Sequence, residues 1–228
     1  MSHLRVAFFA IALAGTVTLT ACSSGSDAPS SASGTPDGGK SASSPAPKPI
    51  TTSVPQAKLT QALLDDGETL PGWSLHGTKR VAKGYSCNTS GTDSAPKGWV
   101  RGSQSAYEYK GSTKNMAFVN ICLFDTAENA HSAYVAWKGT EKNKQQAPTT
   151  SVGEESTLVL NPGLSEDSVY GYSRSGKVDI RVRIDGGNGG DPSGAQAMLT
   201  ATLKRLQQLE AGNPATITAP DELATARK

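Results

Sequence analysis

The chain has 228 residues, with 22 Lys and Arg against 20 Asp and Glu, a formal charge of +2 and three cysteines. A balance this close to neutral, without a clustered basic excess, argues against nucleic acid and heavily charged polymers as partners. Aromatic and β-branched residues concentrate between about Gln56 and Leu209, a span suited to one domain with its own hydrophobic core.

Arg5 is followed by the uncharged run VAFFAIALAGTVTLTA and then by Cys22, the three-part layout of a secretory signal over residues 1–21. The apolar stretch of roughly 15 residues is shorter than the ~20 needed to cross a bilayer, and a polar Ser/Gly segment follows without a basic stop-transfer cluster. Leu19, Thr20, Ala21 and Cys22 fill all four positions of a lipobox, and in this the chain resembles the bacterial lipoproteins. The resemblance implies cleavage between Ala21 and Cys22 and a diacylglyceryl group, with palmitate-type chains, on the Cys22 sulfur. It also implies a domain held at the extracytoplasmic face of the cell membrane. Two acyl chains give stable anchoring where one is marginal, each buried CH₂ contributing about 0.8 kcal/mol. Loss of Arg5 with the signal leaves a formal charge of +1.

Residues 22–55 are dominated by Ser, Pro, Gly and Ala and have almost nothing large and apolar to bury, so they are expected to be a disordered spacer. As a flexible chain the spacer spans ~30 Å and reaches ~110 Å when stretched. A globular domain is expected over 56–210 and a flexible polar tail over 211–228, where Pro214 and Pro220 interrupt any periodicity.

Within the domain, a short helix is expected around Leu59 to Asp65, followed by a Pro-Gly turn that either exposes Trp73 or, as the favoured reading, tucks it into the core. Cys87 falls at the end of an expected strand near GYSC. SAYEYK and MAFVNICLF read as a hairpin turning around Gly111 and Ser112. In DTAENAHSAYVAW, Asp125 and Glu128 form a cap and capping-box pattern, and Ala127, Ala130, Tyr134 and Trp137 fall on one helical face. STLVLN and SVYGYSR are further strands, the latter joined through Ser175 and Gly176 to KVDIRVRID. There Val178, Ile180, Val182 and Ile184 alternate with Asp179, Arg181, Arg183 and Asp185, giving one core face and one wet face. A last helix has Asp191 as cap, Pro192 in its first turn and a stripe of Leu199, Leu203 and Leu206. The expected fold is α+β: a mostly antiparallel sheet with helices packed on one face.

Export makes a disulfide between Cys87 and Cys122 permissible, and closing a loop of ~35 residues would stabilise the domain by roughly 3 to 4 kcal/mol. Two separate buried thiols are the alternative.

No catalytic constellation emerges. His3 leaves with the signal, and His76 and His131 lack a partner at metal-ligand spacing; His131 suits a helix surface. Ser94 to Lys97 fits the S-x-x-K string of penicillin-recognising enzymes but lies among Pro and Gly, without a helix start or a K-T-G partner. GGNGGD over Gly186 to Asp191 matches a calcium-repeat string that occurs only once, so it reads as a strand-to-helix loop, with a weak calcium site as the alternative. NTS at Asn88 is a glycosylation sequon only in a host that uses it. Arg181 and Arg183 are either solvated or line a groove that receives an anion. No metal, cofactor or catalytic residue is expected, and ligand-binding residues are left unassigned.

LPGW at Leu70 to Trp73, the strand carrying Cys122, the helix Asp125 to Trp137, VGEES at Val152 to Ser156, and VDIRVRI before a closing helix occur in an order resembling a group of actinobacterial lipoproteins and the extracellular sensor-like domains of actinobacterial Ser/Thr kinases. The resemblance implies an α+β ligand-binding or sensor-like module outside the cytoplasmic membrane, with no catalytic residues to carry over. Some of those domains hold two disulfides, whereas this chain can form one. The expected function is a non-enzymatic binding module for a small ligand or an envelope protein. The alternatives are a structural interaction lipoprotein and an envelope hydrolase with an unusual site.

Overall fold

The computed structural model describes residues 48–89, 92–162, 167–186 and 191–227. All of these belong to one unit. Cys22, the signal and most of the spacer lie outside the described residues. In chain order the elements are α1 (Gln56–Ala62), β1 (Trp73–Leu75), β2 (Arg80–Val81), a 3-10 turn (Gly84–Cys87), β3 (Trp99–Tyr109), β4 (Ser112–Phe124), α2 (Ala127–Gly139), β5 (Gln145–Gln146), β6 (Glu155–Asn161), β7 (Ser168–Ser175), β8 (Val178–Asp185), α3 (Pro192–Glu210) and α4 (Ala219–Ala226).

The strands form one eight-stranded antiparallel sheet in the order β1-β3-β4-β8-β7-β6-β5, with β2 also pairing to β3, so the fold is α+β. Two hairpins set the register. Tyr109 pairs with Ser112 across Lys110 and Gly111, both at positive φ (50° and 71°), as a type I′ turn requires. This turn is one residue ahead of the expected one. Ser175 pairs with Val178 across Gly176 and Lys177. Gly176 has φ of 59° and a Cβ there would run into the Ile50 carbonyl, so the turn needs glycine twice over.

The alternation in β8 sends Val178, Ile180, Val182 and Ile184 into the main core, where the leucine stripe of α3, α1 and part of α4 meet them. Trp73 is buried in the same core and packs on Tyr109 with ring centroids 5.6 Å apart. As expected, Asp191 caps α3, accepting from the Ser193 N–H at 2.9 Å, with Pro192 in the first turn.

Four expectations need correction. Helices do not all share one face: α2 lies on the other side of the sheet, where Ala130, Ala133, Tyr134 and Trp137 pack with Cys122, Phe124, Val159 and Tyr172. The wet face of β8 is therefore partly roofed, and Asp179 is fully buried. The cap of α2 is Thr126, which accepts from the Asn129 N–H at 3.1 Å, while Asp125 accepts from the Asn129 side chain at 2.8 Å. Cys87 ends a 3-10 turn rather than a strand.

The fourth correction concerns the domain limits. Ile50 and Val54, within the expected spacer, are buried in the main core, and the Lys177 N–H donates to the Ile50 carbonyl at 2.8 Å. The expected tail contains α4, which starts with a full capping box between Thr218 and Asp221 and buries Ala219, Glu222 and Ala226. Too few apolar residues lie in either segment to give a periodic signal, yet each finds a ready-made surface to cover.

Candidate functional site

Because α2 is only 13 residues long, about 20 Å, it covers part of the face it lies on and leaves the rest of that face open. Cross-strand register assembles two rows of side chains there. In one, Arg80 stands opposite Gln104, Gln104 opposite Asn120, Asn120 opposite Arg181 and Arg181 opposite Tyr172. In the next, Ala106 stands opposite Phe118, Phe118 opposite Arg183 and Arg183 opposite Tyr170. Opposed side chains on one face sit about 5 Å apart, so three guanidinium groups and three rings converge.

All of these residues but Tyr172 line a cavity of about 300 Å³, walled on one side by Tyr85 and Ser86 of the 3-10 turn. A smaller hollow of about 220 Å³ adjoins it, sharing Tyr170 and Arg181 and reaching Glu141 and Asn161. Together they form a groove beside the C-terminal half of α2.

The three arginines are held differently. Arg80 donates through Nε (2.7 Å) and Nη2 (3.1 Å) to the Gln104 amide oxygen, and the Gln104 amide nitrogen donates to Ser86 Oγ at 3.0 Å. Arg183 is ion-paired with Asp185 at 2.7 Å and lies over the rings of Phe118 (6.0 Å) and Tyr170 (5.4 Å). Arg181 stacks on Trp137 at 5.2 Å and donates from Nη2 to the Ser86 carbonyl at 3.2 Å. Among the described residues it forms no ion pair with a carboxylate. Burial, together with repulsion from Arg183, pulls its pKa below the usual guanidinium value, against the opposing pull of Tyr172, Tyr170 and Glu141. For Arg183, the Asp185 bond and neighbouring tyrosines outweigh burial and raise the pKa.

The tyrosines are shaped by the same burial. Tyr170 and Tyr172 stack with centroids 6.3 Å apart, and Tyr172 donates to Glu141. Burial raises the pKa of both phenols, and for Tyr172 the Glu141 carboxylate adds to the effect. They remain neutral hydrogen-bonding groups at any physiological pH.

The Cys87–Cys122 disulfide, with Cα atoms 5.9 Å apart, ties the 3-10 turn to β4. It is thereby the staple that holds Tyr85 and Ser86 over the groove. Under α2, Asp179 lies buried with neither carboxylate oxygen hydrogen-bonded, and burial pushes its pKa well above the usual range. Nearby, Arg174 bonds Glu155 and Glu154, and Glu155 also meets His131 at 2.8 Å.

The other sequence candidates do not converge on the groove. His131 is exposed on α2, and His76 meets Glu108 at 2.9 Å near the C-terminal end of β3. Ser94 and Lys97 are exposed in a loop. Asn88 donates to the Ser94 carbonyl at 2.8 Å. Gly187 to Gly190 of the calcium-like string lie outside the described residues. Of its neighbours, Asp191 is engaged as the α3 cap and by Arg227, and Asp185 by Arg183. Among the described residues no group of three or more His, Cys, Asp or Glu is placed to hold a metal, and no helix is long and apolar enough to cross a membrane. Of the groove residues, sequence reasoning singled out Arg181 and Arg183. It missed Arg80, Gln104 and Tyr170, whose only signal is their register position.

No family model and no curated protein sequence matches the chain. Among solved structures, the extracellular domain of PknH from Mycobacterium tuberculosis superposes with a TM-score of 0.50 at 12% identity, covering 71% of this chain and 99% of that one. At this identity the likeness is one of fold.

Proposed function

We propose, starting from a fold shared with the extracellular domain of a kinase, that this chain is an envelope lipoprotein whose domain is a non-enzymatic, sensor-like binding module. Cys22 carries the diacylglyceryl anchor, and the spacer holds the domain off the extracytoplasmic face of the membrane. The observation that carries the binding assignment is the half-roofed sheet face, a groove of about 300 Å³ where charged and aromatic side chains converge beside α2. That volume lies at the small end of ligand pockets. The groove's polar residues are arginines, amides, serines and neutral phenols, with no His, Cys, Asp or Glu among the described residues of the cavity lining to activate a nucleophile, a set suited to recognition rather than to acid–base chemistry.

The test is a native mass spectrum of the full chain exported with Cys22→Ala from a related host. A discrete added mass that disappears on denaturation supports the binding module. A bare chain that captures no small molecule from envelope extract would count against it.

A second reading, an interaction lipoprotein, is favoured by Val81, Tyr85 and Val100, which are 58%, 49% and 39% exposed along the β2–β3 edge and the turn that follows. In that case crosslinking from the intact envelope should recover one dominant protein through this edge.

A further inference from the structure

We infer, on the basis of the groove as binding site, that its ligand is a small organic anion: an anionic oxygen group, carboxylate or phosphate, carried on a flat apolar body. Arg80, Arg181 and Arg183 line the cavity, and no Asp or Glu lines it with them. Asp185 answers only Arg183, and Glu141, in the adjoining hollow, is engaged by the Tyr172 hydroxyl.

The chain itself shows what a fully satisfied buried arginine looks like. Arg205, 2% exposed, donates to the carbonyls of Ala62 (3.2 Å), Ile217 (3.1 Å) and Gln61 (3.3 Å) and pairs with Glu68 at 3.0 Å. Arg181, with the same five-donor fork, has one carbonyl at 3.2 Å. A half-buried guanidinium with most of its donors unanswered by protein groups, beside a second of like charge, is a site that an anion completes. The fork geometry suits the paired oxygens of a carboxylate or phosphate.

Rings define the rest of the ligand. Trp137 backs Arg181, so the guanidinium is pinned from behind and offers its free edge to the cavity. Phe118, Tyr170 and the half-exposed Tyr85 line the same space, an arrangement that takes a flat apolar body by stacking.

The test uses the full chain exported with Cys22→Ala and three probes of one shape: naphthalene-2-carboxylate, 2-naphthyl phosphate and the neutral naphthalene-2-carboxamide, titrated by calorimetry. The two anions should bind saturably, with affinity falling as salt is raised, and the carboxamide at least tenfold more weakly. Whichever anion binds more tightly names the headgroup. Arg181→Gln should weaken the anions roughly tenfold to hundredfold. Arg183→Gln, at a more exposed side chain, should do so by a smaller factor, and exposed Lys142→Gln should leave binding unchanged. Carboxamide binding equal to that of the anions would overturn the anionic assignment while leaving the groove a binding site. Silence from all three probes at millimolar concentration would overturn both. Unaltered anion affinity in folded Arg181→Gln and Arg183→Gln would move the site elsewhere.

Discussion

Asp179 and Arg181 are two residues apart on one strand and face the same side of the sheet, yet α2 treats them differently. Asp179 lies under the helix, where both oxygens lack a hydrogen-bond partner and burial raises its pKa, outweighing the opposing pull of Arg174. Its folded form holds a proton that the unfolded chain releases near pH 4. The native state therefore binds more protons, and the stability this confers is full below that pH and lost as pH rises through the folded pKa. Asp179→Asn, which removes the ionisation and keeps the shape, should accordingly gain stability over the parent as pH is raised from 4 to 7.5 in denaturant titrations. A difference that does not vary with pH would show that Asp179 is ionised inside the fold. Arg181, at the margin of the helix, keeps its charge and an open side.

At the scale of elements, the groove depends on pieces too short to stand alone. The four-residue 3-10 turn is fixed by Cys87 and by the pairing of β2 to β3. With a sequence separation of 35 between the cysteines, the double variant Cys87→Ser/Cys122→Ser should lose about 3 to 4 kcal/mol in denaturant unfolding. It should also weaken ligand binding, because Tyr85 and Ser86 lose their tie to β4. A double variant with parental stability would mean that packing alone holds the turn. In the same way α4 exists because α3 offers a surface: Lys204 reaches Glu222 at 2.8 Å, and Arg205 spans from α1 to Ile217 ahead of α4.

At the scale of the whole molecule, the proposed order along the chain is lipid at Cys22, spacer, then a domain that begins by Lys48, whose carbonyl accepts from Gln207 at 2.9 Å. Cys22→Ala should shift the protein from the membrane fraction to the medium or periplasm without changing its melting temperature. Continued membrane retention would overturn the lipid anchor. The spacer is shorter than composition suggests, because Ile50 and Val54 are drawn into the core.

The strands β4 and β6 to β8, the helix cores of α2 and α3 and the Asp191 cap were legible in the sequence, because period-two and period-3.6 patterns report burial directly. So were Arg181 and Arg183 as a pair on one face. The sequence by itself determined the antiparallel α+β class, the principal strands and the core face of β8, since these follow from local alternation and turn chemistry. Only the tertiary structure decided that α2 crosses to the opposite face, that Asp179 is sealed while Arg181 is left half-answered, and that Arg80 and Tyr170 join it across five strands. Those outcomes depend on which strand lies beside which, a long-range register that no local period encodes.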